Sequence, residues 1–308
     1  MRGLHTESIT DGKDAFEEIL GKILPEGKLQ KIEQFRDDGE GVLTKYNVYK
    51  VSAESGTYVL KKSDDKEIFA YEKLLRGKEL PVPEYYGCAE HDSEKWILIE
   101  FLEGIDLRNF TEEMAHACAK SICQIMSMYW QNSKEEFEEN KLDDRFERYW
   151  ARINKRAECL ESEPEMKAAY ELFLKRQLEC PRTLCNGDFL QYNGVYNEAN
   201  VKLIDWAFAG IMPYALDIAR LIAHGTEDIT SGFPFYMDDR LREIFVWEVY
   251  EGLRCKPEKE RYIQDIRLAL LNEYVEFIEW DLNEGTLDKE DYHYRQAVKV
   301  AREISMPQ

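Results

Sequence analysis

Long hydrophobic runs are missing from this chain. No apolar stretch nears the ~20 residues that a membrane-spanning helix needs, and Met1 to Thr10 lacks the basic, apolar and small-residue order of a secretory signal. The expectation is a cytoplasmic protein. Metal-binding punctuation is missing too. The seven cysteines form no CxxC pair; Cys118 and Cys123 are five apart, as are Cys180 and Cys185, wider than structural zinc sites use. The five histidines (His5, His91, His116, His224, His293) are scattered without an HExxH pattern. Reduced, mostly buried thiols are expected instead. Positive charge is scarce: 41 basic residues face 61 acidic ones, a net charge of -20. Such a field repels phosphate backbones and anionic lipid, so neither nucleic acid nor a membrane is an expected partner. It suits cationic small molecules, and it equally suits plain solubility. There is no internal repeat and no low-complexity tract.

What is present is 308 residues, 44% apolar and 33% charged, enough for one large domain or two lobes with a buried core. Phe16, Ile19, Leu20, Ile23 and Leu24 recur at helical spacing over 14–24, before Pro25. Two β-rich runs, 47–51 and 57–61, flank the turn-forming Ala53-Glu54-Ser55-Gly56 and predict a hairpin. A helix over 66–77 and a buried strand over 96–100 follow, with a hinge at Gly104. Beyond 105 the pattern is helical, over 111–131, 134–160, 164–178, 214–224, 238–253 and 260–281. One small hairpin interrupts it, built from 194–196 and 201–205. The predicted organisation is α+β, a β-rich N-lobe (1–102) and a larger helical C-lobe (103–308).

The interruption carries the chemistry. It reads Cys185-Asn186-Gly187-Asp188-Phe189-Leu190-Gln191-Tyr192-Asn193, then Ile204-Asp205-Trp206. Asp188 and Asn193 are five apart and Asp205 lies on the far strand of the hairpin. Folded back, this supplies two carboxylates and a carboxamide, hard oxygen donors suited to Mg²⁺. An Asp beside such a metal can also take a proton from a substrate hydroxyl. Taken singly, Asn-Gly and Asp are ordinary turn residues.

Together these segments resemble the HxDxxxxN motif and following Ile-Asp-Trp of the aminoglycoside phosphotransferase and choline kinase-like family, relatives of the protein kinases. The likeness runs from about residue 33 to about 225. It implies a protein-kinase-like two-lobe fold and transfer of a phosphoryl group from ATP or GTP to a hydroxyl. By that resemblance Asp188 is the catalytic carboxylate, and Asn193 and Asp205 hold Mg²⁺. Asp217 is a structural brace for the catalytic loop, with Asn186 beside it.

The nucleotide side follows the same order. Lys61 shares a strand face with Val59 while Lys62 points the other way, so alternation selects Lys61. It resembles the family lysine on the α- and β-phosphates. Glu67, Tyr71 and Leu74 fit the family spacing, which makes Glu67 its ion-pair partner and Glu72 the alternative. Gly39 and Gly41, in the loop to Lys45, resemble a lid over the phosphates. Glu100 and Leu102 resemble the hinge backbone that meets adenine. Lone versions of each signal fit ordinary structure as well.

The chain departs from the pattern at Asn186, where the family has His. Asn can donate and accept hydrogen bonds but carries no proton at neutral pH. Between Glu273 and Asp291 stand eight acidic residues and one basic residue, Lys289, with Tyr274, Trp280, Tyr292 and Tyr294 among or beside them. Carboxylates with aromatics suit a cationic acceptor such as an aminoglycoside or an amino alcohol; the spacing of Glu273, Glu276 and Glu279 equally suits a solvated helix face. Three readings compete: a metabolic small-molecule kinase (choline, ethanolamine, a sugar or an amino acid), a nucleotide-binding pseudokinase, and a helical interaction protein.

Overall fold

The structure, a computed structural model, describes residues 4–9, 12–25, 27–37, 43–226 and 235–305. The chain divides into two compact units, residues 1–104 with 204–207 and residues 105–203 with 208–308. Gly39 and Gly41 lie outside the described residues.

The first unit is a sheet with one helix against it. In chain order it contains β1 (Leu4–Ser8), α1 (Lys13–Ile23), β2 (Leu29–Asp37), β3 (Thr44–Ala53), β4 (Gly56–Ser63), α2 (Asp65–Phe69), β5 (Tyr85–His91) and β6 (Glu94–Glu100). All neighbours are antiparallel, in the order β1-β2-β3-β4-β6-β5. The expected 47–51 and 57–61 hairpin is the centre of this sheet, longer at both ends. β2 escapes a period-2 reading because its apolar residues, Leu29, Ile32 and Phe35, recur at every third position. β5 escapes because Gly87 sits at a register shift. Ile19 and Leu20 of α1 are buried against Leu29, Val51, Tyr58, Leu60 and Leu98, each such side chain contributing ~1.5–3 kcal/mol relative to exposure. The predicted 66–77 helix is only briefly α-helical: from Ala70 to Leu75 it widens into a π-helix closed by Arg76 N–H on the Tyr71 carbonyl (2.8 Å).

The second unit is mainly helical: α3 (Glu112–Met126), α4 (Lys134–Glu139), α5 (Arg145–Arg156), α6 (Pro164–Gln177), β7 (Arg182–Cys185), β8 (Gly194–Asn197), β9 (Asn200–Leu203), β10 (Gly210–Pro213), α7 (Ala215–Ala223), α8 (Asp239–Gly252), α9 (Lys259–Glu284) and α10 (Tyr292–Ser305). The single helix expected over 134–160 is broken at 140–144. There Asp143 accepts the Arg145 N–H, the local side-chain bond by which Asp competes with a helix. α10 goes unpredicted, being rich in charge and Tyr. β7 and β10 pair antiparallel across 25 residues (Cys185 with Gly210); two four-residue strands are too short to announce themselves. No helix among the described residues is long and apolar enough to cross a membrane. All seven cysteines are free thiols; Cys118, Cys123, Cys180 and Cys185 are buried, while Cys88 and Cys255 are exposed.

Candidate active site

In the first unit, strand alternation sends Tyr58 and Leu60 into the core and Lys61 to the opposite face. Lys61 Nζ lies 2.8 Å from Glu67 Oε1 and 3.1 Å from Asp205 Oδ1. Glu67 is aimed by local chemistry. Asp64 caps α2, accepting the N–H groups of Lys66 and Glu67 at 3.0 Å each, the N-cap role its short side chain favours. Ser63 Oγ then donates to Glu67 Oε2 at 2.8 Å. Both oxygens of Glu67, only 2% exposed, are therefore satisfied. Glu72 is engaged elsewhere, accepting the Tyr85 hydroxyl at 3.3 Å. Burial alone would lower the Lys61 pKa, but Glu67 and Asp205 outweigh it and raise the pKa, so the ammonium persists.

Asp205 is not on a strand, as the sequence had suggested. β9 ends at Leu203, and Asp205 stands two residues beyond with φ of 57°, the left-handed region that Asp tolerates better than most residues. Glu100 ends β6; its N–H donates to the Glu84 carbonyl at 2.9 Å and its carboxylate accepts the Glu84 N–H at 3.1 Å. Leu102 follows that strand, half-buried.

In the second unit, residues 186–193 form the loop between β7 and β8. Asp217 of α7, 1% exposed, accepts the N–H groups of Asn186 (2.6 Å) and Gly187 (2.9 Å). Burial pushes its carboxyl up to about 6, against the pull of those two donors. Asn186 Oδ1 accepts the Asp188 N–H at 3.1 Å, so the residue standing in the family histidine's position holds backbone. Gly187 has φ of 79°, and a Cβ there would fall 2.2 Å from the Phe208 carbonyl oxygen. Only glycine meets both conditions.

The Asp188 carboxylate is gripped from two sides. Oδ2 accepts Asn193 Nδ2 at 3.1 Å; that nitrogen also donates to the Asp188 carbonyl at 2.7 Å. Oδ1 accepts Arg220 Nε at 3.2 Å and Nη2 at 2.9 Å. Arg220 Nη1 continues to Glu273 Oε2 at 2.8 Å and lies 3.5 Å from Glu276. Burial works against the Glu273 anion, yet Arg220 and His224 pull its pKa down to about 2. Glu276 and Glu279 pair with Arg156 at 3.2 and 2.8 Å, an arginine only 1% exposed. The carboxylates at 273, 276 and 279 thus belong to internal arginine networks. Neither a solvated face nor a set of unclaimed charges describes them, because partners distant in sequence fold onto the same helix face.

Sequence reasoning overlooked Arg220 and Ser63. A signal for Arg220 existed: it lies three residues after Asp217, one helical turn along the same face. For a hard cation the donor chemistry fits. In the second unit the Asn193 nitrogen donates to Asp188, so its carboxamide oxygen is not used in that bond; in the first unit Asp205 carries a carboxylate, one oxygen of which meets Lys61. Among the described residues no three His, Cys, Asp or Glu side chains cluster as a metal cage; Mg²⁺ at phosphates commonly takes one or two protein oxygens and completes its shell from substrate and water.

A family model described as "Phosphotransferase enzyme family" (APH) matches residues 44–253. Among solved structures, ethanolamine kinase of Plasmodium vivax is 14% identical, with 99% of this chain and 82% of that chain covered and a TM-score of 0.51. Choline kinase from Cryptosporidium parvum is 12% identical, covering 95% and 94%, with a TM-score of 0.53. Spectinomycin phosphotransferase APH(9)-Ia, solved with ADP and spectinomycin, is 15% identical, covering 98% and 95%, with a TM-score of 0.52. No curated protein matches the sequence. At such identities the likeness is one of fold, the protein-kinase-like α+β type that the motifs implied.

Proposed function

The chain belongs to the phosphotransferase enzyme family, and from that footing we propose that it moves the γ-phosphoryl group of ATP, or of GTP, onto a hydroxyl of a small cationic acceptor. It is a small-molecule phosphotransferase; the donor, acceptor and residue roles are our reading. Residues 1–102 are the nucleotide-binding portion, and 103–308 the catalytic and acceptor-binding portion. Lys61, fixed by Glu67, neutralises the α- and β-phosphates. Backbone at Glu100 and Leu102 meets the base. Asp205 and Asn193 would hold Mg²⁺, which supplies charge neutralisation at the transferred group. Asp188 aligns the acceptor hydroxyl and accepts its proton. Asp217 and Asn186 hold the loop that carries it. Positioning and electrostatics supply the rate, as phosphoryl transfer requires.

The observation that carries this reading is the double grip on Asp188, a carboxylate fixed in direction on a loop otherwise without regular structure. A cationic acceptor is supported by the net charge of -20 and by ethanolamine, choline and spectinomycin, the compounds named with the structural neighbours, all cations at neutral pH. The test is ADP release from MgATP and MgGTP with choline, ethanolamine, spectinomycin and hygromycin B, each with wild type and Asp188→Ala. We expect one acceptor to stimulate turnover and the substitution to lower it by about 10³-fold or more. Undiminished turnover in Asp188→Ala would refute the assignment.

A further inference from the structure

Asp188 sits on an irregular loop, where neither a helix nor a sheet ladder fixes a side chain. A carboxylate offers about four lone-pair sites. On Asp188 Oδ1, two are taken by Arg220 Nε (3.2 Å) and Nη2 (2.9 Å). On Oδ2, one is taken by Asn193 Nδ2 (3.1 Å). Within these bonds a single direction, on Oδ2, remains for an incoming hydroxyl.

The guanidinium that closes Oδ1 is itself immobilised. Its third nitrogen, Nη1, reaches Glu273 Oε2 at 2.8 Å and lies 3.5 Å from Glu276, both on α9. Glu273 is 5% exposed, so its position is set by the core. Arg220 and Asp217 stand one turn apart on α7. One helix thereby fixes the loop's backbone, through the N–H groups of Asn186 and Gly187 on Asp217, and the loop's carboxylate, through Arg220. Arginine is the residue for this task because its planar fork spans two carboxylates at fixed angles, whereas an ammonium is a point charge.

The geometry points to Arg220 as the positioning residue that directs Asp188, anchored by Glu273, so that the acceptor hydroxyl is taken at Oδ2 and not at Oδ1. This rests on the reading of Asp188 as the catalytic carboxylate. Arg220 itself touches no reacting atom.

Arg220→Gln alone would leave Glu273 buried without its arginine, with only His224 beside it, which threatens the fold. The decisive variant is therefore the double substitution Arg220→Gln/Glu273→Gln, which removes both charges and keeps both shapes close. It is to be compared with Arg220→Lys in the full chain, using MgATP and whichever acceptor of the panel above gives the highest turnover. We expect kcat of the double variant to fall by about a hundredfold, the scale of a ~1 Å misplacement. The KM for MgATP should stay within about twofold, since nothing on the nucleotide side changes. Arg220→Lys should fall between, because one ammonium cannot serve both carboxylates. Crystal structures of wild type and the double variant give a readout independent of turnover: the Asp188 side chain should leave its wild-type rotamer while the Asn186 and Gly187 bonds to Asp217 persist.

A double variant with kcat within about threefold of wild type, or with Asp188 in an unchanged rotamer, overturns the proposal. Asp188→Ala with full turnover would instead overturn the catalytic reading beneath it. Should wild type turn over none of the panel, the crystallographic comparison decides: an unchanged Asp188 overturns the positioning role, and a displaced one upholds it.

Discussion

Gly187→Ala tests how the Asp188 loop is held. Two separate penalties arise. At φ of 79° a Cβ is strained by roughly 1–2 kcal/mol. The Cβ would also stand 2.2 Å from the Phe208 carbonyl oxygen. Ordinary contact needs roughly 1 Å more, and backbone in a close-packed region cannot yield that alone. Overpacking of this kind typically costs about 1–3 kcal/mol, for a sum of ~2–5 kcal/mol. In a protein of this size that lowers the melting temperature by roughly 3–8 °C. Because Asp188 is the next residue, the same displacement should cut kcat by about 10²-fold. Gly187→Asn separates the penalties: Asn tolerates the left-handed region but still brings a Cβ. If contact dominates, as the distance argues, the Asn variant is as impaired as the Ala variant. Thermal melts and ADP-release kinetics on both would decide. A Gly187→Ala protein within 1–2 °C of wild type and within about twofold in kcat would refute the reasoning.

Two further outcomes are expected. Lys61→Met removes the cation from Glu67 and Asp205; kcat/KM for MgATP should drop by about 10²-fold or more, and the rise in melting temperature expected of wild type with MgATP should be lost. The buried carboxyl of Asp217 is raised from 3.8 to about 6, so its protonated form is favoured in the folded state. The stability it contributes is fully present below pH 4 and is lost as pH rises through 6. Asp217→Asn should flatten that part of the melting-temperature profile between pH 4 and 6, and should also lower kcat, because the two loop N–H groups meet different oxygens and the amide would turn an NH2 donor onto one of them. A profile unchanged by the substitution would contradict the assignment.

Several features were legible because their causes are local. Alternation along β4 separates Lys61 from Lys62. The spacing of Glu67, Tyr71 and Leu74 along one helix singles out Glu67, which pairs with Lys61. The Asp188 to Asn193 spacing lets the carboxamide reach back to the carboxylate within one loop. Periodicity found most of the helices, including α9, where the apolar stripe is continuous. It lost β7 and β10, whose four-residue strands are stabilised only by each other, and it ran through the break at 140–144, where polar side chains take over the backbone donors.

By itself the sequence determined the family, because the carboxylate and carboxamide of the 188–193 loop, the Ile-Asp-Trp after it and a lysine placed by strand alternation stand in the family's order along the chain. Only the tertiary structure decided how those groups are held. The partner of Arg220 lies 53 residues away at Glu273 and its other partner 32 residues away at Asp188, while Gly187 is required by a carbonyl on a different strand connection. Such contacts depend on how α7 packs on α9, and packing at a distance leaves no periodic trace in the chain.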